Sequence, residues 1–365
     1  MSEPILSARD LRVDFRVRGG RTARAVDGVH LDLAPGEVLA LAGESGCGKT
    51  TLARTLLGLV RPSAGTVANA GQPLTYSTGA LKAYRRSVQL VLQDPTGALN
   101  PRHTVYEAVA EGLRIHGITG NERDRVADAL AVCGLRPPER FFLAYPHELS
   151  GGQRQRVVIA GALVLEPKVI IADEPVASLD ASVRGEILAL LLRLREEFGL
   201  AALVVTHDLG LAWSIADRLA VMYLGRIVET GPVERILTEP RHPYTRALVS
   251  VLPDSPIASP IVLAGEPPDA TQIPPGCRFH PRCQELASGA AEAAGVAESC
   301  RRTPVEIIEA GTTASVAATP PEPGARKPGA AEGAAEPGAA EPGAAEPGAA
   351  DVACHLHAAR VLGRT

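Results

Sequence analysis

The run Gly43-Glu44-Ser45-Gly46-Cys47-Gly48-Lys49-Thr50, followed by Thr51, has the spacing G-x-x-x-x-G-K-[ST]. Glycines so placed let a backbone wrap phosphate groups with its N–H groups turned inward, and a helix opening at the end of the loop adds a favourable dipole. In that arrangement Lys49 brings a point charge to the β- and γ-phosphates, and the Thr50 hydroxyl serves Mg²⁺. Cys47 occupies a variable position, where the backbone does the binding. Farther along, the apolar run Val169–Ala172 delivers two adjacent carboxylates, Asp173 and Glu174. Asp173 suits Mg²⁺, usually through water, and Glu174 can polarise an attacking water. A third segment, Leu149-Ser150-Gly151-Gly152-Gln153, has the S-x-x-Q spacing of a capping box and two positions without bulky side chains. A helix start of this kind leaves N–H groups open to an anion. The chain already holds a complete phosphate loop, so this second anion site points to ATP held by another subunit.

Such groups need a framework. Val38–Ala42 precedes the phosphate loop, Val169–Ala172 the carboxylates and Leu203–Thr206 the residue His207. Each run is continuously apolar, the pattern of strands buried on both faces of an α/β sheet. Thr51–Leu59 and Ser182–Phe198 read as helices, and residues from about 95 to 165 as an inserted helical subdomain. The expected fold is a P-loop α/β core with that insertion and a small β-rich N-terminal part. It spans 1–252. Prolines crowd 253–310, which reads as an extension with little core of its own, for which burial against the sheet is not required. Residues 311–350 are Ala/Gly/Pro/Glu-rich, with EPGAA repeated three times from Glu336, and read as a flexible linker to a tail over 351–365.

The 365 residues are 45% hydrophobic, enough for a real core, and the net charge of −4 argues against a nucleic-acid binder with a strongly basic face. No apolar run approaches the roughly 18 residues of a spanning helix. The N-terminal MSEPILSARD lacks a basic head and apolar core, so the expected location is the cytosol. Six cysteines in such a compartment are not expected to form structural disulfides. Cys133 reads as core packing. Cys277, Cys283, Cys300 and Cys354 cluster in the poorly packing tail and suit a metal centre, with His280, His355 and His357 as alternative ligands for zinc.

These motifs, in this order, resemble the nucleotide-binding subunits of ATP-binding-cassette (ABC) transporters over residues 5 to about 255. The resemblance implies that LSGGQ at 149–153 completes a partner's ATP site. It implies that Gln93 in VLQDP contacts Mg²⁺ and water and relays nucleotide state, that Ser178-Leu179-Asp180 crosses a dimer interface, that His207 holds the γ-phosphate and water, and that Phe15 stacks on adenine. VLQDPTGALNPR, YPHELSGGQRQR, VMYLGRIVETG and RHPYTRAL resemble more narrowly the peptide and nickel importer subfamily, in particular its second ATPase subunit; CRFHPRC, Cys300 and VACHLH resemble that subfamily's C-terminal extension. Implied with this are ATP and Mg²⁺, a 4Fe–4S cluster on the four tail cysteines, and a companion ATPase in a heterodimer or homodimer. Two membrane permeases, an extracytoplasmic peptide-binding protein acting indirectly and a peripheral place on the cytoplasmic side of the membrane are implied as well. A cassette ATPase of a soluble multi-enzyme complex, as in phosphonate breakdown, and an importer of nickel or another small solute are the alternatives.

Overall fold

The computed structural model describes residues 3–177, 179–305 and 351–361. The proposed linker therefore lies outside the described residues, as do Ser178 and the last four residues.

Two sheets position the site. The smaller is antiparallel, in the order β2-β1-β4-β5, from β1 (Leu6–Arg16), β2 (Thr22–Leu33), β4 (Ala64–Asn69) and β5 (Gln72–Pro73). The larger has the order β11-β10-β9-β3-β8-β7-β6. Its members are β3 (Val38–Ala42), β6 (Val88–Val91), β7 (Val169–Asp173), β8 (Ala201–Thr206), β9 (Arg218–Tyr223), β10 (Arg226–Pro232) and β11 (Asp351–Val352). The five strands from β6 to β9 run parallel, and β10 and β11 add antiparallel at the edge.

The apolar runs are continuous because both faces are covered. In β3, Val38, Ala40 and Ala42 enter one core while Leu39 and Leu41 enter the other. In β7, Ile170 and Ala172 divide from Val169 and Ile171 in the same way. Between residues 49 and 250 this frame is flanked by α1 (Lys49–Leu56), α2 (Thr78–Ser87), α3 (Pro95–Ala98), α4 (Val105–His116), α5 (Glu122–Val132), α6 (Gly151–Leu163), α7 (Ala181–Phe198), α8 (Leu209–Ile215), α9 (Val233–Thr238) and α10 (Pro243–Ser250). Among the described residues no strand lies between Val91 and Val169; α3 to α6 fill that interval. α4 starts at a capping box in which Thr104 Oγ accepts from Glu107 N–H and the Glu107 carboxylate accepts from Thr104 N–H.

The extension and tail pack against this core, where sequence reasoning required no such burial. Asp351 and Val352 pair with Thr230 and Glu229 of β10, so these two residues of the tail form a sheet edge strand. Phe279 stacks edge-on to Tyr223 at 5.3 Å and lies against Tyr244 at 5.4 Å. Arg278 crosses to the N-terminal sheet, donating to Asp27 and to the Leu224 carbonyl. Both ends of that ion pair are buried, and Arg226 stands 3.6 Å from the same carboxylate. Burial, with Arg226 nearby, pushes the Arg278 guanidinium down to about 10. The pair anchors the extension to a residue 251 positions earlier. Asp27→Ala leaves a buried cation without its partner, which should cost about 3–5 kcal/mol of stability. A denaturant midpoint corresponding to a loss below about 1 kcal/mol would contradict this anchor.

Candidate active site

The functional side chains stand at the carboxyl ends of four parallel strands, the edge where open α/β sheets bind ligands. β3 runs into Gly43, β6 leads to Gln93, β7 ends in Asp173 with Glu174 next, and β8 is followed by His207. Loops from neighbouring strands thus converge although up to 164 residues separate them in sequence.

The phosphate loop has a shape only glycine allows at two points. Gly43 has φ 152° and Gly48 φ 112°, both in the left-handed half of the map. A Cβ at Gly43 would strike the Met222 carbonyl oxygen, and one at Gly48 the Ala25 carbonyl oxygen. β9 and β2 therefore pack directly under the loop. Lys49 is 7% exposed, and its Nζ donates to the Gly43 carbonyl at 2.7 Å and the Glu44 carbonyl at 3.0 Å. The ammonium is held at the loop's centre by contacts that a phosphate oxygen can replace. Cys47 is buried beneath the loop, and that burial raises its thiol pKa. It is no exposed nucleophile. Ser45 and Gly46 are exposed, and Thr51 is half-buried at the start of α1.

Thr50 Oγ1 lies 3.5 Å from Asp173 Oδ1. A hydroxyl and a carboxylate facing each other are hard oxygen donors, suited to Mg²⁺ that takes its other ligands from phosphates and water. Burial raises the Asp173 pKa, a Thr50 hydrogen bond opposes the rise and the adjacent Glu174 charge adds to it. Glu174 has φ 49°, a left-handed backbone that a non-glycine residue adopts only when its surroundings impose it. The Glu174 N–H donates to the Val205 carbonyl at 2.9 Å, which fixes that bend against β8. Its carboxylate is gripped from two sides: Gln93 Nε2 donates to Oε2 at 3.0 Å, and His207 Nδ1 lies 3.0 Å from Oε1. The three side chains proposed from sequence for water activation therefore form one hydrogen-bonded unit. Phe15, on β1 and paired with Ala23, is 42% exposed and open to a stacking partner.

The signature segment sits on the helical insertion. Ser150 is the N-cap of α6: its Oγ accepts from Gln153 N–H at 3.2 Å, and Gln153 Oε1 accepts from Ser150 N–H at 2.9 Å. Leu149 is buried, while Gly151 is half-buried at the helix start and Gly152 is buried. Asp180 caps α7, accepting from Val183 N–H at 3.0 Å and from Ser182 Oγ at 2.9 Å; these bonds hold its carboxyl below the usual range. Leu179 is buried beside Gly151, so the two segments expected at a dimer interface adjoin each other.

Cys277, Cys283, Cys300 and Cys354 all line one cavity of about 20 Å³, together with His280, Glu285 and His355. Burial, reinforced by the neighbouring thiols, pushes Cys277 and Cys300 up to about 12 and Cys354 up to about 11. The four meet across sequence separations of up to 77 residues, yet among the described residues no group of three or more His, Cys, Asp or Glu is arranged to hold a metal ion. The geometry thus brings the cysteines together without supplying support for an iron–sulfur cluster. Cys133 is fully buried in the core, and burial pushes its thiol up to about 12.

Comparison with known proteins agrees with this geometry. The ABC transporter family profile matches residues 26–177, and that of the oligopeptide/dipeptide transporter C-terminal region matches 228–288. The solved structure of cbiO1 from Clostridium perfringens, part of the ABC transporter complex cbiONQ, superposes with a TM-score of 0.59 at 33% identity, over 65% of this chain and 92% of that one. This chain belongs to the ABC transporter ATPase family. A second ABC ATPase structure, the dimeric cassette MJ0796 in a post-hydrolysis state bound to ADP and Pi, superposes at 0.56 with 30% identity, covering 62% of this chain and 98% of that one. Among curated proteins, the glutathione import ATP-binding protein GsiA of Escherichia coli K12 is 47% identical over 260 residues, and that of Salmonella typhimurium 48%. Those residues make up 69% of this chain and 41% of each GsiA, so the ABC ATPase described here spans about two fifths of the length of these relatives. ATP hydrolysis is the activity of the family.

Two residues of this ABC ATPase site were not assigned from sequence. Tyr244 and Arg282 both touch Glu44 of the phosphate loop. Both lie in segments that carry the family resemblance, RHPYTRAL and CRFHPRC, where neither residue has a local chemical signal of its own. No helix among the described residues is long and apolar enough to cross a membrane.

Proposed function

We propose that this chain is the ATP-hydrolysing subunit of an importer of small peptides, working with a companion ATPase and two membrane permeases. The observation that carries the reading is Glu174, held between Gln93 and His207 at the end of β7 beside the phosphate loop. In this mechanism the ATP phosphates enter the Gly43–Thr51 loop, and Lys49 leaves the Gly43 and Glu44 carbonyls for the β- and γ-phosphates. Phe15 stacks on the base. Mg²⁺, held by Thr50 and by Asp173, supplies charge neutralisation on the phosphates. Glu174 accepts a proton from the attacking water, which Gln93 and His207 orient. The Leu149–Gln153 segment of each chain covers the nucleotide of the other, and Ser178–Asp180 lies along that seam. Closure moves the α3–α6 insertion, which grips the permeases on the cytoplasmic side of the membrane.

The match to an oligopeptide/dipeptide transporter C-terminal region favours an importer over a soluble multi-enzyme complex. Likeness to glutathione importers points to short peptides, glutathione included, as cargo. Reconstituting the chain with its permeases in vesicles tests this: peptide-dependent stimulation of ATP hydrolysis and ATP-dependent peptide uptake are expected. Assembly into a permease-free complex would refute it.

We also propose that Cys277, Cys283, Cys300 and Cys354 ligate one 4Fe–4S centre, which would draw the four sulfurs together and staple the extension to the tail. The reading rests on the resemblance of CRFHPRC, Cys300 and VACHLH to the subfamily's extension; the four cysteines share one cavity, but the described residues do not arrange them to hold a metal ion. Protein purified without oxygen should carry iron and acid-labile sulfide, reduced by each Cys→Ser change at these positions and not by Cys47→Ser or Cys133→Ser. Stoichiometric zinc, or no metal with four free thiols, would refute it.

A further inference from the structure

The extension reaches into the nucleotide site. Arg282 Nη1 donates to Glu44 Oε2 at 2.7 Å and Nη2 to Glu44 Oε1 at 3.1 Å, a two-pronged ion pair across 238 residues. The Arg282 side chain is 6% exposed and that of Glu44 27%, so the pair is shielded on the arginine side. The Tyr244 hydroxyl accepts from Glu44 N–H at 2.9 Å. Glu44 is therefore fixed at its amide by α10 and at its carboxylate by the extension. Arg282 is itself seated: its Nε donates to the Ala264 carbonyl at 3.3 Å, and its guanidinium lies over the Tyr223 ring at 5.9 Å.

Two consequences follow for a loop that must receive a triphosphate. Lys49 is tied to the Gly43 and Glu44 carbonyls, and it has to release them when phosphate arrives. The loop then keeps its curvature through contacts that do not involve Lys49, of which the Arg282 fork is the strongest in kind. Glu44 also places a carboxylate in the loop. Unpaired, it would repel the incoming phosphates; paired, it is neutralised and turned towards the extension.

We propose that Arg282 is a positioning residue for ATP binding, so that the C-terminal extension sets the shape and charge of the phosphate loop through Glu44. The proposal rests on the reading of Gly43–Thr51 as the ATP loop.

Equilibrium binding of a fluorescent ATP analogue to the full chain, with steady-state ATPase kinetics on the same preparations, tests it. Arg282→Ala should weaken ATP binding about tenfold while turnover at saturating ATP stays within about twofold, since Glu174 is untouched. In a Glu44→Ala background the same change should alter the affinity less than about twofold, because the partner is already gone. Arg282→Gln, close in length, replaces the alanine variant if that fails to fold. An equal loss in both backgrounds, or no loss in either, overturns the proposal. Lys49→Ala separates the two readings: if it leaves ATP binding intact, the loop assignment itself is wrong. If it abolishes binding while Arg282→Ala changes nothing, only the positioning role fails.

Discussion

Glu174→Gln is expected to keep ATP bound and to slow hydrolysis by about 10²–10⁴-fold, the range a positioned general base contributes. The substitution keeps the side chain's length and leaves the left-handed backbone at residue 174 and its bond to Val205 in place. It also leaves Thr50 facing Asp173. What it removes is the oxygen that accepts the proton of water. His207 Nδ1 and Gln93 Nε2 now converge on that carboxylate from either side, so an amide there also forces one of the two contacts to reverse donor and acceptor. Phosphate release and nucleotide binding measured on one preparation decide the matter. Turnover near that of the unmodified chain would remove Glu174 from the mechanism.

The second large effect concerns the donated half of the site. Ser150→Arg places bulk and charge at the start of α6, where the proposed contact with a partner's ATP is made. The hydrolysis gained on assembly should fall about tenfold or more, as when a preorganised anion donor is lost. The change also removes the N-cap that Ser150 Oγ provides to Gln153 N–H, at a cost of about 1 kcal/mol, too little to unfold a core of this size. Binding at the chain's own Lys49 should persist. Assembled complexes whose stimulated activity survives the change would show that LSGGQ serves no partner site.

The contrast between these residues and Arg282 shows what was legible in sequence. The phosphate loop, the Asp173-Glu174 pair and the Ser150 cap are local patterns. Each needs only a strand, a turn and a helix start in succession, and periodicity reveals those. Gln93 and His207 carry no local signal of chemistry; they came from resemblance, and the parallel order of β6, β7 and β8 is what brings them to Glu174. The left-handed backbone at Glu174 depends on its bond to Val205, a residue on the neighbouring strand, so no local propensity announces it. The extension was read least well. Its prolines argue against a long strand or helix, and nothing in the sequence requires it to pack on the sheet. Yet Phe279 has an aromatic pocket, Arg278 a buried carboxylate and Arg282 the phosphate loop. Val352 found an open edge on β10. Those partners lie between 35 and 251 residues away, and only the folded sheet defines them.

The central claim, that two chains close around ATP, is tested most directly by counting chains and nucleotides. The Glu174→Gln protein, alone and mixed with a candidate companion ATPase subunit, is given MgATP and its mass and bound nucleotide are measured in solution. The account predicts a two-chain particle holding two ATP, absent with ADP and absent when Ser150→Arg is introduced into both signature segments. ATP bound one per chain with no pairing in either mixture would contradict it.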